Sequence, residues 1–292
     1  MAKLRFLPNF TAPRLLLAGL LVALLPWPAA MADSARLAAV LAEQPAEVQA
    51  RYKWRHPAET LEFFGIEPGM TVVEALPGGG WYSKILLSYL GGDGALIGAD
   101  YSLDMYPLFG FFSDEILKSK ETWVADWTAQ AKGWGGDASA AVSAFVFGAL
   151  PDDMKGTADA VLFIRALHNL NRFESQGGFR TAALQNAFDL LKPGGIFGVV
   201  QHQIAEDKPD DWATGGNGYL KKSAVIAFME EAGFELVAES AVNENPKDQP
   251  GEKDIVWRLP PTLSLEDDSD ESVNAMRAIG ESNRMTLLFR KP

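Results

Sequence analysis

TVVEALPGGGWYS, residues 71–83, changes its period halfway. Thr71 to Leu76 is a short apolar run rich in β-branched residues, the pattern of a buried strand. From Trp81 onward the apolar residues Trp81, Ile85, Leu86 and Tyr89 fall at helical spacing. Pro77, Gly78, Gly79 and Gly80 lie between and break both patterns. A strand that turns through glycines into a helix presents unpaired N–H groups and positive partial charge at the helix start. Glycine also lets the backbone approach a ligand closely.

The same alternation continues outward. Further strands are predicted at Ala95 to Ala99, Val142 to Phe147, Asp159 to Arg165, Ile196 to Gln201, Phe234 to Glu239 and Met285 to Arg290. Helices are predicted from Ser113 to about Lys132, from Phe179 to Leu191 and from Ser223 to Ala232. Strands alternating with helices imply parallel pairing, hence an α/β fold: a Rossmann-like three-layer α/β/α sandwich. Residues 33–65 read as a helical lead segment, broken near Pro45 and closed by a helix that opens at Pro57 and stops at Gly65. The main domain is then 66–292. Within it, residues 243–284 are long for a connection and read as an insertion, either a lid or a disordered loop. The acidic run Glu266 to Glu271 lacks the spaced ligands of a calcium loop and reads as a solvated helix start.

Composition narrows the function. The chain has 292 residues, 48% hydrophobic and 22% charged, an ordinary globular mix. Its net charge of -12 argues against nucleic acid as a partner, because phosphate binding draws on clustered Lys and Arg. With no cysteine there is no disulfide, thiolate metal site, thiol nucleophile or lipoprotein anchor. Residues 1–32 read as a signal peptide. Lys3, Arg5 and Arg14 come first, then the apolar run Leu15 to Leu25, then Ala30-Met31-Ala32. Eleven apolar residues are too few for a spanning helix, which needs about 20. Cleavage after Ala32 would leave no stable membrane anchor and a periplasmic or secreted protein.

Asp100 follows the second strand, twenty residues beyond Gly80, where a carboxylate can accept hydrogen bonds from ribose hydroxyls. The glycine loop fits two nucleoside frames. One is a degenerate dinucleotide fingerprint, Gly78-x-Gly80-x-x-Ser83. The other is acidic-x-Gly-x-Gly-x-Gly, running from Glu74 to Gly80 with Leu76 at the first glycine position. The region from about Ile66 to Pro292 resembles a class I S-adenosylmethionine (SAM)-dependent methyltransferase. The glycine loop resembles the family's first motif, and Asp100 its second. Leu191 to Gly195 (LKPGG) and Ala232 to Phe234 (AGF) precede strands as they do there, and RMTLLFRKP resembles the family's antiparallel final strand in a seven-stranded sheet. The stretch RHPAETLEFFGIEPGMTVVEALPGGGWYS resembles a narrower group of exported methyltransferases of unassigned substrate.

The resemblance implies that Glu74, Gly78, Gly79, Gly80, Asp100 and Tyr101 hold SAM, with Phe147 and Gly148 at the adenine. Methyl transfer asks the protein chiefly for proximity and alignment, with a base where the acceptor carries a proton. Candidates near the strand ends are His168, with Arg165 and Asn169 beside it, and His202. Arg55 suits a ligand carboxylate or a structural ion pair, and Trp81 and Tyr82 read as core. The acceptor is then a small molecule or a protein side chain. Two other classes remain open: a periplasmic nucleoside- or SAM-binding sensor without catalysis, and a dinucleotide-dependent oxidoreductase.

Overall fold

The computed structural model describes residues 28–136 and 138–292. Residues 1–27, most of the expected signal peptide, lie outside the described residues. The strands are β1 (Thr71–Ala75), β2 (Ala95–Asp100), β3 (Ala141–Val146), β4 (Ala158–Ile164), β5 (Leu191–Ile204), β6 (Leu220–Lys221), β7 (Glu235–Ser240) and β8 (Arg284–Arg290). Seven of them form one path in the order β3-β2-β1-β4-β5-β8-β7, and the short β6 pairs with β5 off this path. The pairs β1–β2, β2–β3, β1–β4 and β4–β5 are parallel. Strand β8 runs antiparallel to both neighbours, β5 and β7. This is the Rossmann-like, mostly parallel α/β sheet that the alternating pattern implied.

Each face of the sheet is covered by helices, which is why its strands read as continuous apolar runs. Val73, Ala75, Ile97, Ala99, Phe163 and Phe197 face one core, closed by the helices Phe179–Leu190 and Lys222–Glu231. Val72, Leu96 and Leu162 face the other, closed by Trp81–Leu90, Trp123–Trp134 and the lead helices Pro28–Ala42 and Pro57–Phe63. Leu37, Leu61 and Phe64 are almost fully buried there, so the lead segment shares the core of the sheet.

Three elements differ from the expected ones. The helix expected from Ser113 breaks into Asp114–Lys120 and Trp123–Trp134. Ser113 Oγ caps the first half, and a turn at Glu121 and Thr122 lets Trp127 reach the sheet, where its ring fills the space beside Gly98. Strand β5 is longer than expected at both ends: Leu191 pairs with Ala158 of β4, His202 with Arg284 of β8, and Gln203 and Ile204 with β6. The connection 243–284 carries a 3-10 turn at Val256–Arg258 and a helix at Asp270–Ile279, whose cap is Ser269. Buried Asp248 ties it down: it accepts from Arg258 Nη2 (2.8 Å), from the Tyr219 hydroxyl (2.9 Å) and from the Asn283 N–H (2.9 Å).

Candidate functional site

Strand order reverses direction at β1, whose neighbours are β2 on one side and β4 on the other. In open parallel sheets the crevice beyond the strand ends at such a switch point is where ligands bind. Two clefts open along this edge. The first, about 420 Å³, lies beyond β2 and β3 and is lined by Ser102, Leu103, Phe147, Gly148, Leu170 and Phe179. The second, about 260 Å³, lies beyond β1, β4 and β5 and is lined by Leu76, Tyr101, Arg165, His168, His202 and Trp257, among others. Neighbouring residues Tyr101 and Ser102 line different clefts, as do Asn169 and Leu170, so these pairs form the partition. Asn169 Nδ2 donates to the Tyr101 hydroxyl across it (3.1 Å).

The glycine loop forms as a turn closed by a Gly80 N–H to Pro77 carbonyl hydrogen bond of 2.9 Å. Gly80 begins the helix Trp81–Leu90 at φ 75°, and a Cβ there would run into the Trp134 ring. Gly78 and Gly79 are exposed. Leu76, at the position where the family frame has glycine, holds φ 54°. So the backbone takes the left-handed conformation even though leucine occupies the place, a strain of the kind found at functional sites. Strand alternation turns Glu74 toward the face covered by the helix Trp81–Leu90, where it is 4% exposed and accepts from Ser83 Oγ at 2.5 Å. Burial pushes its carboxyl up to about 7, against the opposing effects of Ser83 and Arg165.

Asp100 ends β2, 7% exposed. Its Oδ1 accepts from the Tyr101 N–H (2.9 Å), its Oδ2 from the Tyr106 hydroxyl (2.6 Å), and Lys120 Nζ is 3.5 Å away. Neither Asp100 nor Glu74 lines either cleft in this conformation.

His168 lies in the short helix Leu167–Arg172 that follows β4. His202, expected after the fifth strand, lies inside it, for the pairing reason given above. Their ring centroids are 5.4 Å apart, and His202 Nδ1 is 2.5 Å from Ser282 Oγ. Burial lowers His168 to about 4, with Arg165 and Arg172 adding to the effect. Burial, then the positive charge of neighbours, holds His202 well below the usual imidazole range. Both are neutral at pH 7. His168 Nδ1, Asn169 Oδ1 and, in the first cleft, Ser102 Oγ are buried without a partner among the described residues.

Arg165 follows β4 and holds φ 61°. Its neighbours Arg51, Arg55 and Arg284 all bond to Glu281, which lines the second cleft together with Ser282. Burial opposes ionisation of Glu281, but Arg55, Arg284, Arg165 and Arg51 together outweigh it and lower its pKa. Arg55 therefore has the structural ion pair that was one of its two readings. It also stacks on Trp81, 4.5 Å from the ring centroid.

Of the residues singled out from sequence, Tyr101, Arg165, His168, Asn169 and His202 meet in the second cleft, while Phe147 and Gly148 line the first. Glu281, Ser282, Trp257, Tyr106 and Trp134 were missed. The first three belong to the long connection. A signal was present there: Trp257-Arg258-Leu259-Pro260-Pro261 is an apolar island in a polar stretch, and Glu281 immediately precedes the final strand pattern.

No protein-family model and no curated protein matches the sequence. Solved structures do match in shape. A [4+2]-cyclase, SpnF, superposes with a TM-score of 0.52 at 16% identity, covering 82% of this chain and 81% of its own. Geranyl diphosphate C-methyltransferase from Streptomyces coelicolor A3(2), solved with Mg2+, geranyl diphosphate and S-adenosyl-L-homocysteine, superposes with a TM-score of 0.50 at 14% identity, covering 87% and 88%. One of these proteins is described as a cyclase and the other as a methyltransferase, so the reaction has to be argued from the site. The protein has the Rossmann-like fold found in SAM-dependent methyltransferases.

Proposed function

We propose that this protein is a SAM-dependent methyltransferase whose acceptor is a small molecule. The observation that carries the reading is the pair of clefts at the switch point of the sheet, separated by Tyr101 and Asn169. When bound, SAM supplies both the reactive methyl group and its leaving group. The first cleft suits the adenosine end. Leu103, Phe147 and Phe179 give it apolar walls, and the unpartnered Ser102 Oγ gives it a polar contact. Asp100 suits the ribose once Tyr106 releases it. Leu76 and the glycine loop suit the methionine end.

The chain's own residues then align and exclude water. Trp257, Leu259 and Pro260 wall the second cleft. His168 is neutral at pH 7 and keeps an unpaired ring nitrogen, so it is able to take a proton from an acceptor hydroxyl or amine. Asn169 and Arg165 orient the acceptor beside it. Residues 1–32 direct the protein out of the cytoplasm; cell fractionation finding only uncleaved protein in the cytoplasm would refute this.

The decisive experiment is calorimetric titration of the purified protein with SAM and S-adenosylhomocysteine, with NAD as control. Micromolar binding of the SAM pair alone is expected. Preference for NAD would instead favour an oxidoreductase. Binding of SAM with no methylated product from any extract would favour a sensor.

A further inference from the structure

We propose that the second cleft binds its small-molecule ligand through a carboxylate held by Arg165. That this ligand is the methyl acceptor rests on the methyltransferase reading; the anion site itself stands on charge and geometry.

Three guanidinium groups share one carboxylate, and a fourth lies beside them. Glu281 Oε1 accepts from Arg51 Nε (2.8 Å) and Arg55 Nε (3.2 Å), and Oε2 accepts from Arg284 Nη1 (3.1 Å). Arg165 is the fourth. Its side chain makes no hydrogen bond or ion pair among the described residues, yet it lines the same cleft as Glu281 and Ser282. The other acid close enough to matter is Glu74, whose pKa of about 7 leaves it only partly ionised at neutral pH. The cluster therefore carries an excess of positive charge. Two of its donors, Arg55 Nη1 and Arg284 Nε, are buried with no partner. Arg55 and Arg284 are each 3% exposed, so bulk water does not reach them. Burial lowers Arg55 to about 9 and Arg165 to about 10, and at those values both stay charged at pH 7.

An uncompensated buried charge is strongly unfavourable, and an incoming anion removes the penalty. Glu281 cannot play that part for Arg165, because its oxygens already serve three arginines. A planar carboxylate matches the fork of a guanidinium. Arg165 is also held in a left-handed conformation, φ 61°, by its N–H bond to the Val200 carbonyl (2.6 Å). Strain of that kind persists where the surroundings fix a side chain for a purpose. The walls set the size and the remaining chemistry. At about 260 Å³ the cleft is smaller than most ligand sites, which does not suit a peptide, and the excess arginine charge does not suit a cation.

The test uses benzoate and its uncharged isostere benzamide, titrated calorimetrically into the purified protein with and without saturating S-adenosylhomocysteine. Benzoate should bind at least about tenfold more tightly than benzamide. Arg165→Gln should lower benzoate affinity by about tenfold or more and leave benzamide unchanged. The benzoate–benzamide comparison on the unaltered protein does not depend on the variant folding. Equal affinity for the two probes, no benzoate binding at millimolar concentration, or benzoate binding unaffected by Arg165→Gln would each overturn the proposal. So would displacement of benzoate by S-adenosylhomocysteine, which would assign Arg165 to the cofactor's own carboxylate. Charge- and Arg165-dependent benzoate binding in a protein that fails to bind S-adenosylhomocysteine would support the anion site while removing the methyltransferase reading.

Discussion

The Tyr106 hydroxyl donates to Asp100 Oδ2 over 2.6 Å, so the carboxylate best placed for a ribose is already engaged by the chain's own phenol. Burial and the adjacent carboxylate both raise the Tyr106 pKa, which keeps the phenol protonated and donating. Lys120 lies 4.6 Å from the Tyr106 ring centroid and 3.5 Å from the carboxylate. If Asp100 takes the ribose as proposed, cofactor binding competes with this internal contact.

Tyr106→Phe should remove that competition. A hydrogen bond to a charged group contributes about 1.5–3 kcal/mol net, so S-adenosylhomocysteine should bind about ten- to hundredfold more tightly. Asp100→Asn should weaken binding by about ten- to hundredfold, as loss of hydrogen bonds to a charged acceptor does. Calorimetry on both variants checks this. Weaker binding by Tyr106→Phe would assign the ligand contact to the phenol.

Glu74 should make the fold less stable as pH rises. Its folded pKa of about 7 lies above the ordinary value of 4.5, so the protonated form favours the folded state. That stability is full below about pH 4.5 and is lost as pH climbs through about 7. The loss is on the order of 3 kcal/mol, at about 1.4 kcal/mol per pKa unit. Glu74→Gln should abolish it, and denaturant melts of the two proteins at pH 5 and pH 8, close to the two ends of that window, should converge at low pH and separate at high pH.

His168 should act in the opposite sense. Its folded pKa of about 4 lies below the ordinary 6.5. The stability this represents is present above about pH 6.5 and disappears as pH falls through about 4. In histidine-resolved NMR its ring resonances should stay at neutral-form positions to about pH 5. A midpoint near 6.5 would show an open, solvated ring. Since the Glu74 and His168 windows overlap, the unaltered protein should show a flatter profile than either single variant.

The glycines of the loop should respond very differently to alanine. Gly80→Ala meets the Trp134 ring and a positive φ, and should destabilise by about 1–3 kcal/mol. Gly79→Ala meets nothing within 4 Å and should stay within about 0.5 kcal/mol. Urea denaturation midpoints measure both. Equal effects would mean that Trp134 does not pack on the loop in solution.

The sheet was legible because its strands are buried on both faces. Ala95–Ala99 in β2 and Ala160–Ile164 in β4 carry no polar side chain, and the Pro77–Gly80 break fixes where β1 ends. The turn at Thr122 was not legible, because Asp114 to Trp134 keeps helical composition straight through it. His168 and Arg165 were found because they sit beside a strand end, a local property. Glu281 and Ser282 were not, because their place in the cleft depends on β8 pairing with β5 and on Asn245 Nδ2 bonding the Glu281 carbonyl (2.7 Å), contacts remote in sequence.

Strand β8 follows every other strand in sequence, yet lies inside the sheet with Arg284 opposite His202. During synthesis the flank of β5 that carries Val199 and Gln201 stays uncovered until residues 284–290 have left the ribosome, and Glu281 reaches its arginines only a few residues earlier. Pairings this distant form late. The chain thus postpones both its final packing and the closing of the second cleft until β8 has been made.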